Sequence, residues 1–302
     1  MEMGGKKYLT CYNKIIRKER KKAMKKIILI LIGVLFIQMI SVSETKNYIE
    51  REESFYNEKG EKIYGKLFLP VEKAVKNKKY TTVIISHGFN GSAEYTSQFS
   101  KLLAKKGIAS YVFEFRGGSM KTKSDMKMTE MSLFTEKKDL NDVLSHVEKL
   151  KEVDNGKIFL MGESQGGIVS AMSALELENR IKGLILIYPA FVIPESGREL
   201  YRTVEDIPDE ITVFGAVIGK KYYMDIRELD IYKEIERYNG KVLIIHGDKD
   251  EIVPLKYSEK ALFHYKDAEL KVIPGAKHGF NPEEFEKAVN FSAEYIKKQI
   301  RK

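Results

Sequence analysis

The chain has 302 residues, 43% apolar and 11% aromatic, with 22 Gly and 7 Pro, a make-up that excludes low-complexity, collagen-like and disordered classes. A single cysteine, Cys11, rules out an internal disulfide and a clustered-cysteine zinc site, and five scattered histidines without an H-E-x-x-H pair imply neither metal nor cofactor. Of the net charge of +9, +8 sits in residues 1–43, where ten Lys and Arg face Glu2 and Glu19; the rest, at +1, is close to neutral and gives no support for a nucleic-acid partner.

The first segment reads as targeting. Lys25 and Lys26 precede Ile27 to Ile40, apolar except for Gly33 and Gln38, and Ser41-Val42-Ser43 offers small residues for a signal peptidase. The run is short of the roughly 20 apolar residues of a membrane-spanning helix, so a cleaved secretory signal is expected, with an uncleaved signal anchor as the alternative. Met24 would open such a signal in the usual way, and N-terminal sequencing that found Cys11 in the exported protein would refute that start. The expected organisation is a basic leader over 1–43 and one domain over 44–302, with secretion or a cell-envelope location.

After the leader, Ser54 to Tyr56 and Ile63 to Leu69 are predicted strands around the turn Asn57-Glu58-Lys59-Gly60. Short continuous apolar runs then recur at Thr82–Ser86, Ala109–Phe115, Lys157–Met161, Leu184–Tyr188 and Val242–His246, and a further short strand is expected at Leu270–Ile273. Strands buried on both faces look like this, which calls for a parallel sheet covered by helices. Helical patterns lie over Gln98–Lys106, Thr135–Leu150, Gly166–Glu178, Leu255–Tyr265 and Glu283–Ile300, and the alternation gives an α/β class with right-handed crossovers. Pro189 to Lys241 breaks the rhythm with an aromatic-rich insertion, about 190–240, that reads as a cap over the site.

Gly162-Glu163-Ser164-Gln165-Gly166 is a G-x-S-x-G pattern between a buried strand and a helix, the context that raises a serine on a strained strand-to-helix turn. A serine hydroxyl needs a base to take its proton, and the base needs an acid to orient it. Downstream of Val242–Ile245 come Asp248 and Asp250 in His246-Gly247-Asp248-Lys249-Asp250, and then His278 in a Gly-rich loop, in the order serine, acid, histidine. His146 and His264 fall in helical patterns and read as helix surface or partial core. An oxyanion needs backbone donors, for which Phe89, after the strand ending at Ser86, and Gln165, after the serine, are placed.

The motifs His87-Gly88-Phe89, Gly162-Glu163-Ser164-Gln165-Gly166-Gly167, His246-Gly247-x-x-Asp250-x-x-Val253-Pro254 and His278-Gly279-Phe280 together resemble the α/β-hydrolase superfamily of serine hydrolases. Within it the chain looks most like bacterial feruloyl or cinnamoyl esterases and their acylglycerol lipase-like relatives. The resemblance implies an α/β-hydrolase fold with a lid after the sixth strand, selects Asp250 over Asp248 as the acid, and casts Ser164, Asp250 and His278 as catalytic, with Phe89 and Gln165 as the oxyanion hole. Two positions depart: Arg116-Gly117-Gly118-Ser119 where many relatives have Gly-His-Gly-x-Ser, and Glu163 where they often have His; neither is expected to carry the chemistry. The implied activity is hydrolysis of small or aromatic acyl esters through an acyl-enzyme, without cofactor. A serine peptidase or an acyltransferase on the same fold is the alternative. The expected partner is a small ester, and membrane contact is expected only through the leader if it stays uncut.

Overall fold

A computed structural model of the chain describes residues 48–71 and 78–301. The leader and the signal segment over 1–43 lie outside the described residues, and the following unit runs to the C-terminus.

The main sheet has eight strands. In chain order they are β1 (Tyr48–Glu52), β4 (Gly65–Pro70), β5 (Tyr80–Ser86), β6 (Ala109–Phe113), β7 (Val153–Glu163), β8 (Gly183–Ile187), β11 (Val242–Gly247) and β12 (Ala268–Ile273). Their spatial order is β1-β4-β6-β5-β7-β8-β11-β12, antiparallel at β1/β4 and β4/β6 and parallel from β6 onward. Each predicted buried run is one of these strands, to within a few residues at the ends. Between β1 and β4 a small hairpin, β2 (Phe55–Tyr56) with β3 (Lys62–Ile63), turns at Asn57–Gly60 as expected. The predicted strand Ile63–Leu69 is broken at Tyr64, whose N–H bonds the Ser124 hydroxyl instead of a neighbouring strand.

Alternation along the strands divides the core in two. Ile84, Leu184, Leu186 and Ile244 face one side, and Val83, Ile85, Ile185, Ile187 and Ile245 face the other. The first side is covered by Leu133–Val147 (α2), by Gln165–Leu177 (α3), which is buried along most of its length, and by Lys256–His264 (α7). The second is covered by Ala93–Ala104 (α1) and Pro282–Ile300 (α8) through Phe99, Leu103, Phe285, Val289 and Ile296. Both faces are therefore dry, which is why the strands read as unbroken apolar runs.

The insertion leaves the sheet after β8, the sixth strand of the main sheet in chain order. It forms Ile193–Leu200 (α4), a hairpin of β9 (Glu210–Val213) and β10 (Ala216–Gly219), then Lys221–Ile226 (α5) and Ile231–Ile235 (α6). Phe214 and Gly215 at the hairpin tip have φ of 47° and 81°, the left-handed pair that matches the twist of a two-residue turn. No helix among the described residues is long and apolar enough to cross a membrane.

Candidate active site

Ser164 stands where β7 meets α3, with φ 51° and ψ −119°, a strained backbone for a residue carrying a side chain. The turn closes because its neighbours lack Cβ atoms. A methyl at Gly162 would collide with the Gly166 carbonyl and the Ser170 hydroxyl, and one at Gly166 with the carbonyls of Ser86 and His87. The hydroxyl is thereby held at the C-terminal edge of the parallel strands, where loops of several strands converge.

Two of those loops bring it partners. The loop after β12 carries His278, whose Nε2 lies 3.0 Å from Ser164 Oγ. The loop after β11 carries Asp250, whose Oδ2 lies 2.7 Å from His278 Nδ1. The Asp250 side chain is fully buried, and its Oδ1 accepts the N–H groups of Ile252 at 3.0 Å and Val253 at 2.8 Å. Burial alone would raise its pKa, but hydrogen bonds from His246, His278 and the Val253 N–H outweigh that and hold the carboxyl well below the usual range. Asp248 points elsewhere and accepts the Gly275 N–H at 2.6 Å.

A charged Asp250 fixes the ring beside it. His278 must place its proton on Nδ1, toward the carboxylate, which leaves Nε2 with a lone pair facing the serine hydroxyl. This is the state in which an imidazole can remove the Ser164 proton. His246, which sequence reasoning passed over, adds a second donor: its Nε2–H serves the Val253 carbonyl at 2.8 Å and Asp250 Oδ2 at 3.2 Å, while Nδ1 accepts from Ser258 Oγ at 2.7 Å. Its spacing of four from Asp250 was the only signal available. His146 stacks on Phe55 and His264 pairs with Glu236, so neither reaches the site.

Around the hydroxyl, Phe89 and Gln165 are both in place. Neither backbone N–H finds an acceptor among the described residues, which leaves both available to a ligand. His87 pins the first loop, with Nδ1 2.7 Å from the Gly88 carbonyl and Nε2 accepting the Phe115 N–H at 3.1 Å. The Gln165 side chain is clasped from both ends. Its Nε2 donates to Glu136 Oε2 at 2.8 Å, and its Oε1 accepts from the cap's Tyr222 hydroxyl at 2.6 Å. Glu136 is buried, and desolvation raises its pKa well above the carboxylate range. The two departures from the family pattern differ in position: Arg116 is a buried partner of Asp139 and Glu61, whereas Glu163 lines the wall of the site.

Two cavities meet at Ser164. One, of about 350 Å³, is lined by His278, Gly279, Tyr95, Tyr188, Glu163 and Asn90. The other, of about 220 Å³, lies under the cap and is lined by Ile193, Val213, Tyr222, Tyr223 and Val253. Phe89, Phe214 and Ile252 border both. Among the described residues no group of three His, Cys, Asp or Glu is arranged to hold a metal ion.

A family model described as serine aminopeptidase S33 matches residues 77–218. The solved structure of ferulic acid bound to Est1E from Butyrivibrio proteoclasticus is similar with a TM-score of 0.74 and 28% identity, covering 83% of this chain and 100% of that one. The monoglyceride lipase of Saccharomyces cerevisiae is 25% identical over 277 residues, 75% of this chain and 86% of that protein. YtmA of Bacillus subtilis, described as an uncharacterized peptidase, is 25% identical over 169 residues, 53% of this chain and 63% of its own length. With its strand order, its serine on a strained elbow and these likenesses, the chain has the α/β-hydrolase fold and is similar to serine hydrolases, feruloyl esterase and acylglycerol lipase among them.

Proposed function

We propose that the protein cleaves carboxylic esters in two steps, with Ser164 as nucleophile, His278 as base and then acid, and Asp250 as its orienting carboxylate. The observation that carries this reading is the hydrogen-bonded chain Ser164–His278–Asp250 at the junction of two cavities. Ser164 Oγ attacks the carbonyl carbon as its proton passes to His278 Nε2, and the Phe89 and Gln165 N–H groups stabilise the oxyanion. The imidazolium then protonates the leaving oxygen, so the alcohol departs on the His278 side, into the larger cavity. The acyl group stays in the smaller one, under the cap, whose apolar and aromatic walls suit a short alkyl or an aromatic acid. Water activated by the same His278 completes the cycle. The leader's charge and apolar run support export as the setting.

Purified protein is assayed on 4-nitrophenyl acetate, butyrate and octanoate and on methyl ferulate, beside Ser164→Ala. Turnover that falls on the order of 10⁶-fold in the variant is expected. Absence of turnover, or turnover that survives in Ser164→Ala, refutes the reading; activity confined to peptide substrates or to acyl acceptors other than water transfers the same site to the peptidase or acyltransferase alternative.

A further inference from the structure

The Phe89 N–H forms one rigid unit with the Gly88 carbonyl. The peptide between them is trans and planar, so the two groups point in opposite directions, and whatever holds the carbonyl aims the N–H. Among the described residues two donors hold it. The Gly91 N–H reaches the Gly88 oxygen at 3.0 Å and closes a turn over residues 88–91, in which Asn90 takes the positive φ, 52°, that the third position of a type II turn requires. The His87 ring supplies the other donor, with Nδ1 at 2.7 Å. Gly88 lies against the nucleophile, since a methyl there would come within 3.1 Å of Ser164 Cβ, so this peptide is the one that meets a substrate carbonyl. The His87 ring itself lines neither of the two cavities at Ser164.

The ring can hold the carbonyl in one tautomer only. At its far edge Nε2 lies 3.1 Å from the Phe115 N–H, a group that can only donate, so Nε2 is bare and the proton sits on Nδ1. The Gly88 carbonyl can only accept, which calls for the same proton. His87 follows β5 and Phe115 follows β6, the strand paired beside it, so the imidazole is a strut between the ends of two parallel strands. It has no room to turn: it is 1% exposed, the Phe115 ring packs edge-on at 5.0 Å, and methyls at Gly91 and Gly118 would come within 3.0 Å of its Nδ1 and Cε1. Burial lowers its pKa, against the Gly88 hydrogen bond and the nearby Glu114 carboxylate, and so favours the neutral ring that both contacts need.

We propose that His87 is a positioning residue for the oxyanion hole: the Phe115 N–H fixes its tautomer, and its Nδ1–H fixes the plane of the Gly88–Phe89 peptide so that the Phe89 N–H faces the developing oxyanion. This rests on the ester-hydrolase reading above. Without the Nδ1–H the carbonyl keeps only the Gly91 bond, and the peptide is free to tilt within its turn. A neutral ester in the ground state loses little by that, whereas the transition state, which gathers charge on the carbonyl oxygen, loses an aimed donor.

Asparagine places an amide NH₂ where histidine has Nδ1, and glutamine places its amide where histidine has Nε2, so two variants of the full chain separate the ring's two hydrogen bonds. On 4-nitrophenyl butyrate, His87→Gln should lower kcat about 10- to 100-fold with KM within about twofold of wild type. His87→Asn should keep kcat within about fivefold, while its Tm falls by about 2–12 °C because the Phe115 N–H is left buried without an acceptor. In wild-type protein carrying isotopically labelled histidine, long-range proton–nitrogen correlation spectra should show His87 with its proton on Nδ1, a readout that needs no variant to fold. A proton on Nε2 in that spectrum, a His87→Gln enzyme of wild-type kcat, a His87→Asn enzyme as slow as His87→Gln, or a loss carried by KM overturns the inference while leaving the ester-hydrolase reading intact. Lack of any Ser164-dependent turnover in the wild type overturns both.

Discussion

Replacing Tyr222 with phenylalanine removes one oxygen from the cap and should be felt at the nucleophile. The Tyr222 ring is 4% exposed, and its hydroxyl is the only partner of Gln165 Oε1 among the described residues, at 2.6 Å. Without it that carbonyl oxygen remains buried with no donor, which costs about 1–3 kcal/mol, because a buried acceptor loses water without gaining a replacement. In a domain of this size each kcal/mol moves Tm by about 2–4 °C, so a fall of about 2–12 °C is expected by scanning fluorimetry. The catalytic effect follows from what Gln165 does. Outright loss of an oxyanion donor is worth about 10²–10³ in kcat, and here the donor is loosened and still present, so we expect a loss of about 3- to 30-fold with KM nearly unchanged. Gln165→Met supplies the control. In that background the Tyr222 hydroxyl has nothing to bond, and Tyr222→Phe should cost under about 0.5 kcal/mol more. Equal costs in the two backgrounds, or a raised KM at constant kcat, would show that Tyr222 is only a pocket wall and refute the link between cap and oxyanion hole.

Three further outcomes are expected. Asp250→Asn keeps its oxygen on the Ile252 and Val253 N–H groups and turns its NH₂ toward His278; the ring then carries its proton on Nε2 and cannot accept from Ser164, so kcat should fall on the order of 10⁴-fold, and a loss below tenfold would remove Asp250 from the role. Gly162→Ala drives a methyl into backbone at the elbow, whereas Gly156→Ala meets only Asp154 Oδ1 at 3.5 Å. Urea melts should show a loss of about 3 kcal/mol or more for the first and within about 0.5 kcal/mol for the second; equal effects would contradict the packing argument. Glu163 also links stability to pH. Its folded pKa is raised, so the folded state holds its proton longer than the unfolded chain, and stability present below about pH 4.5 is lost as pH rises toward 8. Over that window the loss is on the order of 4–5 kcal/mol for so buried a group. The Tm of Glu163→Gln should gain on wild type between pH 5 and pH 8, and parallel Tm curves would show that Glu163 does not titrate there.

Strands β5, β6, β7, β8 and β11 were legible because a two-sided parallel sheet leaves a local mark: a run such as Leu184–Ile187 is apolar at every position because both faces are covered. The elbow was legible for a similar reason, since a turn with no room for Cβ atoms demands glycine on both sides of Ser164 within five residues. The order of serine, acid and histidine also lies in the chain itself. By contrast β1, Tyr-Ile-Glu-Arg-Glu, is an exposed edge strand held by pairing with β4, and nothing in its charged side chains marks it. The cap's short helices and hairpin had no period long enough to read. What the fold alone decided was which distant polar atoms share a dry space. Sequence distance separates Gln165 from Glu136 and Tyr222, and Asp250 from His278, by 29, 57 and 28 residues. Asp248 and Asp250 look alike in one loop, and only the direction of each carboxyl, toward Gly275 or toward His278, separates them. Glu163 is the sharpest instance: a glutamate in sequence is a surface acid by default, and it becomes a neutral wall of the site only because β5 and β8 close on either side of it and exclude the water that would keep it charged.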